Sequence, residues 1–289
     1  MLRNTLSMKT VCALCALVLI SLAVMAANEQ TPTSRVVAAA NTFLSTLGQK
    51  QRQAVLFAFD DQEQRKRWSN FPVAVVPRGG INLKDMTAEQ WSAAMALVAS
   101  ALNAKGLEKV QQIMEGDEVN KNEEANNRGG GPGPRPGNGG PPPGNGGPPP
   151  FGGGGNRQPW NGPIFGKDLY YISILGKPSE KDPWMLQFGG HHLALNIAIA
   201  GEQGVLTPTL TGAQPALYSS NGKTVRPLAG ESDKAFALLS ALDDKQRKQA
   251  ILSYQLADLV LGPGQDGKTV VPEGLKASAM NERQRAYAP

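Results

Sequence analysis

Cysteine is almost missing from these 289 residues: the only two, Cys12 and Cys15, both fall within the first 26. A chain that has shed that stretch has no thiol, which excludes disulfides, thiolate catalysis and Cys-zinc sites together. Histidine is equally scarce, at 2. No HExxH, no histidine triad, no GxSxG and no phosphate-cradling strand–Gly loop–helix occurs. Charge is thin as well, 18% of residues at a formal net +5, and removing Arg3 and Lys9 with the leader leaves about +3. The densest basic run, Arg65-Lys66-Arg67, is flanked by Glu63 and by Asp60-Asp61, so it reads as a solvated helix end rather than a nucleic-acid footprint. After residue 26 no apolar run is long enough to span a membrane.

The first 26 residues are different. Arg3 and Lys9 precede an uncharged apolar stretch over 10–26 that ends in Val24-Met25-Ala26, with polar chain from Asn28. A basic, then apolar, then small-residue order is that of a secretory signal cleaved after Ala26 or Ala27. The alternative is an uncleaved anchor. The expected location is secreted or periplasmic.

Glycine and proline are concentrated. Residues 129–163 hold 15 Gly and 11 Pro, too little apolar matter to offset the cost of ordering, so this stretch is expected to be a disordered insert. Phe151 and Trp160 could dock it back on the domain. The expected organisation is a signal over 1–26, a helical part over 27–128, the insert over 129–163, and strands followed by helices over 164–289. The expected fold is α+β, a single domain with helical layers at both ends around an antiparallel meander.

Helical spacing supports that outline. Val36, Ala40, Phe43, Leu44 and Leu47 share one face after a cap at Ser34, and a second helix follows from Gln49. A third begins at Thr87 with Trp91, Ala94, Met95, Val98 and Leu102, and a fourth carries Leu107, Val110, Ile113 and Met114. Strands are expected over 170–174, 184–188, 193–199 and 205–211, with helices again from Glu231. A capping pattern with Gln three residues after the cap recurs at Gly48/Gln51, Thr87/Gln90, Asp243/Gln246 and Asn281/Gln284. Residues 44–52 and 239–247 are identical at six of nine positions, which predicts a repeated helix–turn–helix unit at the two ends.

The two histidines are adjacent, His191 and His192. Read as strand residues they face opposite sides: His191 with Leu193 and Leu195 toward the core, His192 with Ala194 and Asn196 toward ligand space. Gly189-Gly190 could reverse that by a bulge. A divalent metal would need completing groups such as Glu231, Glu115 or Asp60.

Trp184-x-x-Gln187-x-x-Gly190-His191-His192-Leu193-x-Leu195-Asn196, followed by Thr207-Pro208 and Gly212-Ala213-x-Pro215, resembles the signature of the DUF3500 family. Phe59-Asp60, Arg67-Trp68, Arg78-Gly79, residues 171–178 and Glu231 support the resemblance. One departure is Trp184-Met185-Leu186-Gln187, where the family tends to carry Trp-Gly-Trp-Gln. The resemblance implies one domain over about 36–285 and carries no assigned activity. The candidate catalytic groups are His191, His192, Glu231 and Arg78, with Trp184, Gln187, Asn196 and Glu115 as binding groups, all but Glu115 lying in the matching motifs. Two functions stay open: a metal-binding or hydrolytic protein centred on the histidine pair, or a non-catalytic envelope protein that binds a small molecule or partner.

Overall fold

A computed structural model describes residues 31–129, 164–256 and 259–287 of the chain. The leader and the Gly/Pro-rich stretch, with Phe151 and Trp160, lie outside the described residues. The fold is α+β, with eight helices among the described residues and a mostly antiparallel sheet. Among the described residues no helix is long and apolar enough to cross a membrane.

Helix α1 (Pro32–Thr46) starts one turn earlier than the sequence suggests. Thr31, not Ser34, is its cap: the Thr31 hydroxyl accepts from the Ser34 N–H, and Pro32 takes the first helical position, where its missing N–H costs nothing. The helix buries Val36, Val37, Ala40 and Phe43. Helix α2 (Gln49–Val55) runs into the two-residue strand β1 (Leu56–Phe57). Helix α3 (Gln62–Arg65) is a single turn capped by Asp61. Strand β2 (Ile81–Asn82), a 3₁₀ turn (Leu83–Asp85) and α4 (Ala88–Ser100) follow. Helix α5 (Ala104–Gly129) is longer than its apolar stripe predicts.

The meander is β3 (Tyr171–Leu175), β4 (Trp184–Gly190), β5 (Leu193–Ala200) and β6 (Gln203–Thr211). Strands β1 and β2 line the outer side of β3, and β6 forms the other edge. One face carries Ile172, Ile174, Leu186, Phe188, Leu195 and Ile197, which pack with side chains of α1, α4 and α5 into the core. The expected period-2 pattern of β5 is therefore present, yet Ala194 and Asn196 are buried too.

The second face is covered by α3 and the segment after it. There Ser173, Gln187 and Asn196 stand side by side on three strands. Gln64 from α3 donates to Ser173 Oγ and Gln187 Oε1, both at 3.0 Å, and Gln187 donates to Asn196 Oδ1 at 2.9 Å. The β5–β6 register shifts beside Asn196, whose amide donates to the Pro208 carbonyl at 2.8 Å. A side chain there replaces a ladder bond at a bulge where proline has no N–H to give.

A hairpin, β7 (Tyr218–Ser220) and β8 (Lys223–Val225), leads to α6 (Ala229–Ala241) and α7 (Asp244–Ala250). A 3₁₀ turn (Ala277–Ala279) and α8 (Glu282–Arg285) end the described chain.

Candidate functional site

His191 and His192 are not strand residues. They form the two-residue turn between β4 and β5, closed by the Gly190↔Leu193 pair. His192 adopts φ +56, the left-handed conformation that a type II turn asks of its second central residue. Strand alternation ends at Gly190, so the two rings no longer oppose each other; they stack with centroids 3.8 Å apart and a 35° tilt. The burial order nevertheless matches the sequence reading: His191 is 5% exposed and His192 is half-buried.

Two glycines make room for the turn. A Cβ on Gly190 would stand 2.9 Å from the Tyr170 ring, and one on Gly212 would stand 3.1 Å from His192 Cβ. Each ring thus rests on a backbone without a side chain.

His191 faces α5. Its Nδ1 lies 2.7 Å from Asp117 Oδ1, and Tyr170 donates its hydroxyl to Asp117 Oδ2 at 2.8 Å. The same hydroxyl is 3.0 Å from the His191 carbonyl. Asp117 and Tyr170 are both buried. Burial, and then the Asp117 charge, push the Tyr170 hydroxyl well above its ordinary pKa, so it stays a donor. Asp117 accepts both bonds, so in the neutral imidazole the His191 proton sits on Nδ1 and the lone pair on Nε2. Nε2 has no hydrogen-bond partner among the described residues. The His191 side chain as a whole is 6% exposed. Phe165, 5.0 Å away and tilted by 48°, flanks the ring.

His192 faces the loop after α3. Asn70 Oδ1 lies 2.7 Å from its Nδ1 and Gln214 Oε1 lies 3.2 Å from its Nε2. Burial, then the neighbouring His191, lower the His192 pKa. With both ring nitrogens facing amide oxygens, a neutral ring donates to one of them only, and the shorter contact marks Nδ1 as that donor. The depressed pKa has a sign. Below the unfolded value of about 6.5 the unfolded chain binds a proton that the folded chain resists, so stability falls as pH drops through about 6.5 and toward the folded pKa. Thermal melts from pH 7.5 to 5 should show a fall that His192→Gln reduces. An identical pH slope in wild type and variant would remove His192 from the account.

Arg78 ties the turn to its loop. Its guanidinium donates to the carbonyls of Ser69 (2.9 Å), Phe71 (2.7 Å), Gly190 (3.1 Å) and Val76. Its bonded partners are thus carbonyls, not a carboxylate. Desolvation pulls its pKa down to about 10, which still leaves a cation at neutral pH. The His192 N–H donates to the Asn70 carbonyl at 3.2 Å, on the same loop. Arg78 also lines a narrow cleft with Gln64, Trp68, Gln187 and Asn196, whose free space of about 20 Å³ holds little more than one water.

The remaining candidates stand elsewhere. Glu231 pairs with Lys109, and Glu115 lies 3.5 Å from Lys167. Asp60 occupies an exposed turn. Trp184 is fully buried in the core, its Nε1 donating to the Ser179 carbonyl. The structure therefore ties Arg78 to the flank of the turn, places Gln187 and Asn196 with it in a cleft that neither histidine lines, and leaves Glu231, Glu115, Asp60 and Trp184 outside both. Among the described residues no three His, Asp or Glu side chains are grouped to hold a metal ion.

Asp117, Tyr170, Asn70 and Gln214 were missed by sequence reasoning. Only Asp117 left a signal: it follows Val110, Ile113 and Met114 at helical spacing, an acid on an apolar stripe, where a charge is stable only with a partner.

No curated protein and no solved structure matches the chain. One family does, over residues 29–288, described as Protein of unknown function (DUF3500). A match over nearly the whole length, holding both the histidine turn and the segments that position it, makes the chain a member of the DUF3500 family.

Proposed function

We propose that this protein is exported and works as an acid–base hydrolase, with His191 Nε2 as its proton acceptor. The observation that carries the reading is the buried Asp117–His191 bond of 2.7 Å, backed by Tyr170. It holds the imidazole in one tautomer and leaves Nε2 without a bonded partner among the described residues, the arrangement a general base requires. No hydroxyl or thiol among the described residues is bonded to Nε2, so water is the nucleophile. Nε2 takes a proton from water, the hydroxide adds to the substrate's acyl carbon, and the imidazolium returns the proton to the leaving group. Asp117 stabilises the imidazolium without itself being protonated.

A divalent metal fits less well. His191 Nε2 is one free donor, His192 is engaged on both nitrogens, and zinc sites need three or four ligands.

The test is hydrolysis of p-nitrophenyl acetate and butyrate by the purified protein. His191→Gln is expected to lower kcat/KM by roughly 10²–10⁴, while His192→Gln retains most of the rate. Equal turnover in wild type and His191→Gln, with both folded, overturns the proposal and favours a binding protein with structural histidines.

A further inference from the structure

The repeat at the two ends extends well beyond nine residues. In the first unit the Gly48 N–H donates to Gln51 Oε1 and the Thr87 N–H to Gln90 Oε1. The two carboxamides then bond each other, Gln51 Nε2 to Gln90 Oε1 at 3.1 Å and Gln90 Nε2 to Gln51 Oε1 at 2.9 Å. Gln90 also donates to the Thr46 carbonyl, and Arg52 to that of Leu47. The second unit repeats each bond. Gln246 and Gln284 accept from the Asp243 and Asn281 N–H groups and bond each other at 3.2 and 2.8 Å. Gln284 donates to the Ala241 carbonyl and Arg247 to that of Leu242. Each unit places a 3₁₀ turn just before its last helix. Val75-Val76-Pro77 recurs as Val270-Val271-Pro272. The positive-φ Gly80 recurs as Gly274.

The first unit grips a strand. Leu56 and Phe57 pair in parallel with Ile174 and Leu175, and Ile81 and Asn82 pair antiparallel with Ile172 and Tyr171. Together they cover the outer edge of β3. In the second unit Ile251 and Leu252 take the positions of Leu56 and Phe57, and Leu275 and Lys276 those of Ile81 and Asn82. The backbone there is already extended, φ −89 and ψ 115 at Ile251 against −98 and 127 at Leu56, and −67 and 138 at Lys276 against −76 and 136 at Asn82. Yet these positions form no strand. Ile251, Leu252, Val270 and Val271 are exposed, Val271 at 82%.

The sheet meanwhile has an uncovered edge. Among the described residues strand β6 pairs only with β5; it exposes Val205 and Leu206 and carries no charge in nine residues. Charged residues ordinarily protect such an edge; here Pro208 alone does, and the stretch 203–206 before it is open. Of the four grip positions, Ile251, Leu252 and Leu275 are uncharged, Lys276 carries the single charge, and Val270 and Val271 of the same unit are apolar, so the grip, like the edge, is mostly uncharged.

We propose that the second unit grips the β6 edge of a second copy of this chain, by strand addition. Because each copy has one grip and one open edge, a two-fold dimer makes the contact twice and leaves neither edge free.

The test is sedimentation equilibrium of the purified protein over a concentration series. The wild type is expected to dimerise. Leu206→Lys, on the edge, and Leu252→Lys, in the grip, should each give monomers with melts near wild type, since both side chains are exposed. An equimolar mixture of the two variants should partly recover the dimer, because one partner keeps its edge and the other its grip. A wild type monomeric at every concentration overturns the proposal, as does a dimer that survives both substitutions. Amide protection along β6 in a monomer also overturns it, since that would place the grip within one chain.

Discussion

Asp117→Ala is expected to be the most damaging substitution near the histidine turn, costing about 2–4 kcal/mol, the effect of removing a charged acceptor from buried hydrogen-bonded groups. Asp117 is 2% exposed and accepts from two buried groups, His191 Nδ1 and the Tyr170 hydroxyl. Alanine leaves His191 Nδ1 unpaired where water reaches poorly, at about 1–3 kcal/mol, and leaves the Tyr170 hydroxyl with the His191 carbonyl as its remaining acceptor. The expected fall in Tm is roughly 10 °C for a chain of this size. Asp117→Asn, which keeps the volume and one acceptor, should cost far less. Tyr170→Phe should also be milder, because it removes a donor together with its need for a partner. A calorimetric melt of the three variants settles the order. If Asp117→Ala melts within a degree or two of wild type, the carboxylate is not what holds His191.

The second large effect concerns the backbone. Gly80 has φ +102, and a Cβ on it would lie 2.2 Å from the Ile172 carbonyl oxygen and 2.8 Å from its carbon. Those atoms belong to β3, at the residue that pairs with Ile81. They cannot turn aside as a flexible side chain would. Gly80→Ala therefore combines an unfavourable φ with an overlap against main chain, each worth about 1–3 kcal/mol. It should also detach β2 from the sheet. Gly201→Ala is the control. Its φ is +60 with nothing within 4 Å of the added carbon, so only the conformational cost of about 1 kcal/mol applies. Urea midpoints of the two variants test the difference, and equal midpoints would rule out the overlap.

Both predictions rest on relations that the sequence carries unevenly. Periodicity is local, so it survives in the sequence alone. The stripe of α1, the alternation of β5 and the four Gln caps were all legible, because each depends on residues one or two turns apart. The identity of 44–52 with 239–247 marked a repeated unit for the same reason. The α1 cap shows the limit at short range: Ser34 and Thr31 are both good caps, and Pro32 decides between them.

The histidine pair shows the limit at long range. Extending the strand pattern of β5 backward put the two rings on opposite faces, because alternation says nothing of where a hairpin turns. Gly190↔Leu193 pairing made them turn residues, and the turn let both rings lie together. Partners followed the same rule. Asp117 is 74 residues from His191, and Asn70 is 122 from His192. No spacing links such residues. The sequence by itself determined the helix faces, the strand periods, the repeat and the DUF3500 signature, all set by near neighbours. Only the tertiary structure decided which carboxylate meets His191, because that contact exists once α5 and the β4–β5 turn have packed against each other.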